Sequence, residues 1–141
     1  MVNDIIDGLS EALENSIQCK VYTRNVKQGL HIPCFFMQLL KPGKVPLIGA
    51  RHIRDYPFDI QYFPTDESDN EYMMQIGDML MDYLEIITLS DGQIVCGKDM
   101  EYEIVDGVLH FYVTYTVVLR KKEEEDSMRN YGLKTGVRND R

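Results

Sequence analysis

Apolar residues recur at helical spacing in two parts of the chain. Between residues 3 and 16 they form one stripe with acidic residues elsewhere, which predicts a short amphipathic helix with Asn3 as its N-cap. A wider stripe predicts a second helix. Its members are Tyr72, Met73, Ile76, Met79, Leu80, Tyr83, Leu84 and Ile87. The segment 68–71 reads as a capping box, so the Ser68 hydroxyl is predicted to accept from the Glu71 amide.

The methionines of this second stripe admit two interpretations. A Met-rich face can form a promiscuous binding groove, whereas a stripe at helical spacing is more often part of the core. We favour the core, which makes Met79 a core residue.

Alternation with a period of two predicts strands in the remaining parts of the chain. The predicted strands are residues 19–23, 34–40, 47–63, 93–97, 100–105 and 108–120. Pro57 lacks a backbone donor, so the long stretch around it must be an edge, be bulged or bend, and we favour a bend. Asp106-Gly107 predicts a hairpin turn before the last strand.

The last strand has two distinct faces. Leu109, Phe111, Val113, Tyr115, Val117 and Leu119 share one of them, and His110, Tyr112, Thr114 and Thr116 share the other. The first face is predicted to pack on the helices, which leaves the second free to meet a partner. The order of elements predicts an α+β fold, a mainly antiparallel sheet with two helices packed on one face.

Length and charge suggest one domain and an arm. Residues 1–126 are predicted to form a single α+β domain, and residues 127–141 a flexible basic arm. The arm has four basic residues and one acidic residue, Asp140, so its net charge is +3. The whole chain has a net charge of −8, which leaves −11 for residues 1–126. An acidic body disfavours nonspecific binding to nucleic acid.

No apolar run approaches the ~20 residues that span a bilayer, and no signal peptide is visible, so we expect a cytoplasmic protein without membrane contact.

Motifs for chemistry are nearly absent. Residues 92–99 come within one residue of a P-loop, but Asp99 replaces the hydroxyl that would hold magnesium and a strand is predicted to follow. The histidines and the three cysteines lack metal-ligand spacing, and the cysteines read as small buried residues. We therefore predict no enzymatic activity, catalytic residue, metal or cofactor.

The basic cluster at 51–54 admits two interpretations: it binds single-stranded nucleic acid with nearby tyrosines, or it forms cross-subunit ion pairs, which the acidic surroundings favour.

Two stretches, each with aromatic residues around a proline, carry a family resemblance. Residues 28–36 read Gln-Gly-Leu-His-Ile-Pro-Cys-Phe-Phe, and residues 56–64 read Tyr-Pro-Phe-Asp-Ile-Gln-Tyr-Phe-Pro. They resemble the tail terminator proteins of phages and prophages of Gram-positive bacteria, over roughly residues 1–120. Both stretches serve as structural markers, since the family has no catalytic motif to transfer.

The resemblance implies a structural role in a virion or a tail-like bacteriocin. Such a subunit assembles into a homohexameric ring at the head-proximal end of the tail tube, stops tube polymerisation and offers a surface to the neck or connector. The implied partners are other copies of the chain and the tail tube protein, with sheath and neck or connector proteins as further candidates. The candidate interface residues are Arg51, Arg54, Tyr112, Thr114, Arg129, Lys134 and Arg138.

Two alternatives remain open from the sequence. One is another phage head-tail completion or tube protein. The other is a small ligand-binding or enzymatic α+β domain that uses the sheet face around His110, Tyr112 and Arg54.

Overall fold

The computed structural model describes residues 1–23 and 30–120. Within these ranges it has two helices and seven strands. In chain order they are α1 (Val2–Ser16), β1 (Lys20–Tyr22), β2 (Cys34–Leu39), β3 (Gly43–Pro46), β4 (Arg51–Phe63), α2 (Asn70–Tyr83), β5 (Ile86–Thr88), β6 (Ile94–Val105) and β7 (Val108–Arg120). Strands make up 47% of the described residues, so the fold is mostly β.

The sheet is mixed. Its strand order is β1-β2-β4-β7-β6-β5, with β3 paired to β4 at the side. β1 runs parallel to β2, whereas β2 runs antiparallel to β4 and β6 runs antiparallel to both β5 and β7. The prediction of a mainly antiparallel sheet is therefore wrong.

The positions of the helices also differ from the prediction. Helix α1 contacts β1 and β5, the first and last strands of the order, and also α2, while α2 contacts β6. In a flat sheet five strand spacings would separate β1 from β5 by roughly 24 Å, twice the diameter of a helix. The sheet instead curls into a half-barrel, and the helices are not packed on one face as predicted.

Gly8 permits the close contact between α1 and β5. A Cβ atom at this position would lie 2.9 Å from the carbonyl oxygen of Thr88. Because backbone cannot yield as a flexible side chain can, a larger residue would push the helix away from the strand.

The core contains buried residues of both helices and of the strands. Met73, Ile76 and Leu80 of α2 are buried, as predicted, whereas Met79 is only half-buried. Tyr72 and Tyr83, which the predicted stripe also included, are 44% and 46% exposed. The buried face of α2 is thus narrower than the apolar stripe predicted from the sequence.

Strand β4 is continuous through Pro57, and the predicted bend is not observed. The Pro57 carbonyl accepts a 2.8 Å hydrogen bond from the Leu40 amide, one residue beyond the end of β2. The N–H group that proline lacks would point in the same direction as this carbonyl, towards the end of the hydrogen-bond ladder between β2 and β4. The cost of the proline is therefore small.

The β6–β7 hairpin confirms the predicted Asp106-Gly107 turn. Both residues have positive φ, 52° and 76°, as a two-residue hairpin turn requires. Strand β6 also joins the two predicted strands 93–97 and 100–105 through a bulge between Lys98 and Glu101, where Asp99 has a φ of 55°.

The described residues form two compact units. One contains residues 1–23, 30–43 and 54–117, and the other contains residues 44–53 and 118–120. In the second unit, β3 turns back towards the start of β4, and the Leu47 amide donates to the Arg51 carbonyl at 2.9 Å. The predicted arm, residues 127–141, lies outside the described residues.

Candidate functional site

Polar side chains cover the side of β4, β6 and β7 that faces away from the core. Side chains alternate along a strand, so the residues between the buried positions share this side, which we call the outer sheet face. Its polar members are Asp55, Asp59 and Gln61 on β4, Lys98, Glu101 and Glu103 on β6, and His110, Tyr112, Thr114 and Thr116 on β7. Four carboxylates against one lysine make this face acidic.

Asp59 and His110 form the most buried pair of the face. Asp59 is 8% exposed, and Nδ1 of His110 lies 3.2 and 3.1 Å from its two carboxylate oxygens. A carboxylate accepts, which places the ring hydrogen on Nδ1. The Gln61 amide nitrogen donates to the same carboxylate at 3.3 Å. Two donors thus satisfy a carboxylate that would otherwise be costly to bury.

Asp55 makes a second set of cross-strand contacts. It accepts a 2.7 Å hydrogen bond from the Thr116 hydroxyl, and its Oδ1 lies 3.6 Å from Nζ of Lys98. The Lys98 side chain is 50% exposed, so water screens the ion pair and it adds little stability. The hydrogen bond from Thr116 fixes the carboxylate more firmly.

Tyr112 lies between the acids of the face. Its hydroxyl donates to Glu103 at 2.9 Å, and its ring stacks on His110 at a centroid distance of 6.3 Å. Burial, the hydrogen bond to Glu103 and the nearby charge of Asp59 raise the pKa of Tyr112 to about 12. The phenol therefore stays neutral and acts as a donor.

Most acids of the outer sheet face are engaged by neighbouring side chains. Asp55, Asp59 and Glu103 are each held by a neighbouring side chain. No group of three or more potential metal ligands occurs in residues 1–23 and 30–120. Burial raises the pKa of the Cys34 thiol, and together with the neighbouring Cys34 it raises that of Cys19 to about 11, so neither is an activated nucleophile. What remains is a polar, acidic surface with fixed side chains.

The two aromatic-proline stretches of the sequence meet next to this face. Residues of β2 and of the second half of β4 pair in register, from Cys34 opposite Phe63 to Leu39 opposite Phe58. On the inner side of this pair, the rings of Phe35 and Tyr62 lie 5.1 Å apart. Residues 34–36 of the first stretch thus pair with residues 61–63 of the second.

A family model described as phage tail terminator protein matches residues 4–127. The chain belongs to this family. The match confirms the resemblance and covers nearly the whole of the described chain. A comparison with curated proteins gives no match.

Membership implies a component of a phage tail. The tail terminator family is structural, in agreement with the prediction of a non-enzymatic protein. Among the described residues of this tail terminator, neither helix is long and apolar enough to cross a membrane.

The structure separates the predicted interface residues of this tail terminator. Tyr112 and Thr114 lie on the outer sheet face. Arg54, two residues before the buried Tyr56, shares the other side of β4 with it and lines a cavity with Met1 and Val2. No described residue makes a hydrogen bond to the buried Nε of Arg54. The predicted grouping of His110, Tyr112 and Arg54 is therefore not observed.

The remaining predicted residues fall elsewhere. Arg51 is exposed at the beginning of β4, in the second compact unit. Arg129, Lys134 and Arg138 lie outside the described residues.

Asp55, Asp59 and Lys98 were not singled out by the sequence analysis. The two aspartates alternate with Tyr56 and Phe58 along β4, which was a signal for an outer face. Lys98 was considered only within the P-loop-like segment. That segment forms strand β6, and no helix N-terminus follows it that could bind phosphate.

Proposed function

We propose that the chain is the subunit of a homohexameric ring that caps the head-proximal end of the tail tube. The ring stops tube polymerisation and offers its free surface to the neck or connector. The observation that carries this proposal is the family match over residues 4–127. The acidic outer sheet face, with three of its four carboxylates held by hydrogen bonds, supports a role in contact between proteins.

The closed ring follows from how identical subunits associate. A contact between two different surfaces of the same subunit repeats from copy to copy, and it produces either a ring or an open fibre. A protein that ends a tube must itself stop growing, so the closed form is the one required.

Sedimentation and native mass measurement over a range of concentrations test the ring. Six copies of the 16.4 kDa chain give a particle of roughly 98 kDa. We expect this species with the purified protein, or after addition of tail tube protein. A chain that stays monomeric under both conditions contradicts the proposal.

Tube length tests the capping activity directly. Tail tube protein polymerised with the chain should form shorter tubes that carry extra density at one end in electron micrographs. The heat-denatured chain is the matched control. Equal length distributions in both samples would argue against termination.

A further inference from the structure

The β3–β4 hairpin, residues 43–53, exposes apolar side chains. Ile48, next to the turn at Gly49, is 91% exposed, and Val45 is 50% exposed. Nearly complete exposure of a large aliphatic side chain is unfavourable in water. Such a residue at the tip of a hairpin is typical of a part that is covered by a partner.

The same hairpin is basic. Lys44 and Arg51 lie within it, Lys41 and Arg54 flank it, and no acidic residue occurs from 41 to 54. Lys41, Lys44 and Arg51 are exposed. In a chain with a net charge of −8, this concentration of positive charge favours an acidic partner.

A groove between α1 and β5 has the complementary character. Gly8 and Ala12 line it from the helix, and Tyr83 and Ile86, which are 46% and 55% exposed, line it from the other side. Its volume of about 230 Å³ is below the ~300 Å³ at which ordinary small-molecule pockets begin. A few side chains of a protein partner would fill it.

One acidic residue lines this groove, and two more share its side of the helix. Glu11 lines it, and Asp7 and Glu14 lie four residues before and three residues after Glu11 on α1, so the three share one helix face. All three are exposed. The groove thus offers apolar side chains among polar ones, and its helix side is negative.

We propose that the hairpin of one subunit docks in the α1–β5 groove of the next, with Ile48 as its apolar anchor. The inference rests on the proposed ring and names the contact that builds it. Apolar groups would meet apolar groups, and Lys44 and Arg51 would meet the acids on the helix side of the groove. Hairpin and groove are different surfaces, as the heterologous contact of a ring requires.

Two single variants remove one surface each. Ile48→Asp places a charge on the anchor, and Ala12→Arg fills the groove and adds a cation that repels the hairpin. Each should raise the concentration needed for ring formation by about tenfold or more, because a central anchor carries much of an interface's affinity. Val105→Asp, at a 42% exposed position of β6, is the matched control and should leave the ring intact. Circular dichroism verifies that all three variants remain folded.

A mixture of the two variants gives the sharper test. Each variant retains one intact surface, so Ile48→Asp and Ala12→Arg proteins should combine into dimers and stop there. Neither variant alone should form this dimer. Rings formed by either variant alone at the concentration that suffices for the wild type would overturn the hairpin contact and leave the ring standing. A mixture that stays monomeric while wild-type protein forms rings would do the same.

A photo-crosslinking residue at position 48 identifies the occupant. Crosslinks from position 48 to residues 8–15 or 83–88 of another copy support the proposal. Crosslinks only to tail tube protein would overturn it in favour of a tube contact. Wild-type protein that forms no ring with or without tube protein would instead contradict the proposed function itself.

Discussion

The start of helix α2 depends on a single carboxylate. Asp69, the N-cap, accepts a 3.1 Å hydrogen bond from the Tyr72 amide. Ser68, the predicted cap, instead donates its hydroxyl to Asp66 at 2.6 Å and turns away from the helix. The predicted N-cap was therefore wrong by one residue, and the predicted capping box of Ser68 and Glu71 is not formed. Both residues are good caps, and the neighbouring Asp66 decides between them.

Replacing the two candidate caps should give different losses of stability. Asp69→Ala removes the acceptor for the first turn of α2 and should lower the free energy of unfolding by about 1 kcal/mol. Ser68→Ala removes only an exposed contact and should cost clearly less. Denaturant midpoints of the two variants measure the difference. A larger loss for Ser68→Ala would restore the capping box.

Pairs that join distant residues could not be read from the sequence. Asp59 and His110 are 51 residues apart, and Asp55 and Thr116 are 61 apart. Alternation showed which residues share a face of one strand. The neighbour across the sheet depends on strand order, which local patterns do not contain. Alternation thus placed Tyr112 and Thr114 on the outer face of β7, whereas their acidic neighbours on β4 could not be assigned to them.

At the scale of whole elements, long periodic segments were predicted well. Both helices, the Asp106-Gly107 hairpin and the long strand β7 follow from local patterns. The prediction of a bend at Pro57 was wrong. The cost of the missing N–H group depends on whether a neighbouring strand would accept a hydrogen bond from it, which the sequence does not show. At Pro57 that neighbour, β2, has already ended.

Adjacent methionines on α2 provide a direct test of the core. Met73 is fully buried and Met74 is 46% exposed. Met73→Ala should lower the free energy of unfolding by roughly 2–5 kcal/mol, because it leaves a cavity in the core. Met74→Ala is the control and should change it by less than about 0.5 kcal/mol. Similar losses at both positions, measured by denaturant unfolding, would show that the two faces of α2 are assigned incorrectly.

At the scale of the molecule, the fold class was predicted incorrectly because the shortest strands could not be interpreted from the sequence. β1 and β5 have three residues each, too few to show a direction or a partner in the sequence. Yet β1 makes the sheet mixed, and the contacts of α1 with both strands reflect its curl. The family resemblance did not depend on these short strands, because its two stretches contribute residues 34–36 of β2 and the second half of β4.

The charge distribution of the whole chain suggests a role for residues 127–141, which lie outside the described residues. Their charge of +3 opposes an acidic remainder, and the outer sheet face holds four of its carboxylates. We propose that this segment strengthens assembly by binding an acidic surface of a neighbouring subunit or tail protein. Unlike the hairpin contact, this attraction is mainly electrostatic, so it should depend strongly on salt.

Deleting residues 127–141 should leave the melting temperature nearly unchanged and weaken ring formation or docking to the tail. The loss should be larger at ~0.05 M salt than at ~0.5 M, where screening has already removed most of the attraction. A full-length variant with Arg129, Lys134, Arg138 and Arg141 all changed to Gln separates charge from chain length, and it should behave like the deletion. Ring populations by sedimentation at the two salt concentrations measure the effect. Equal populations of wild type and deletion at both concentrations would exclude the segment from assembly.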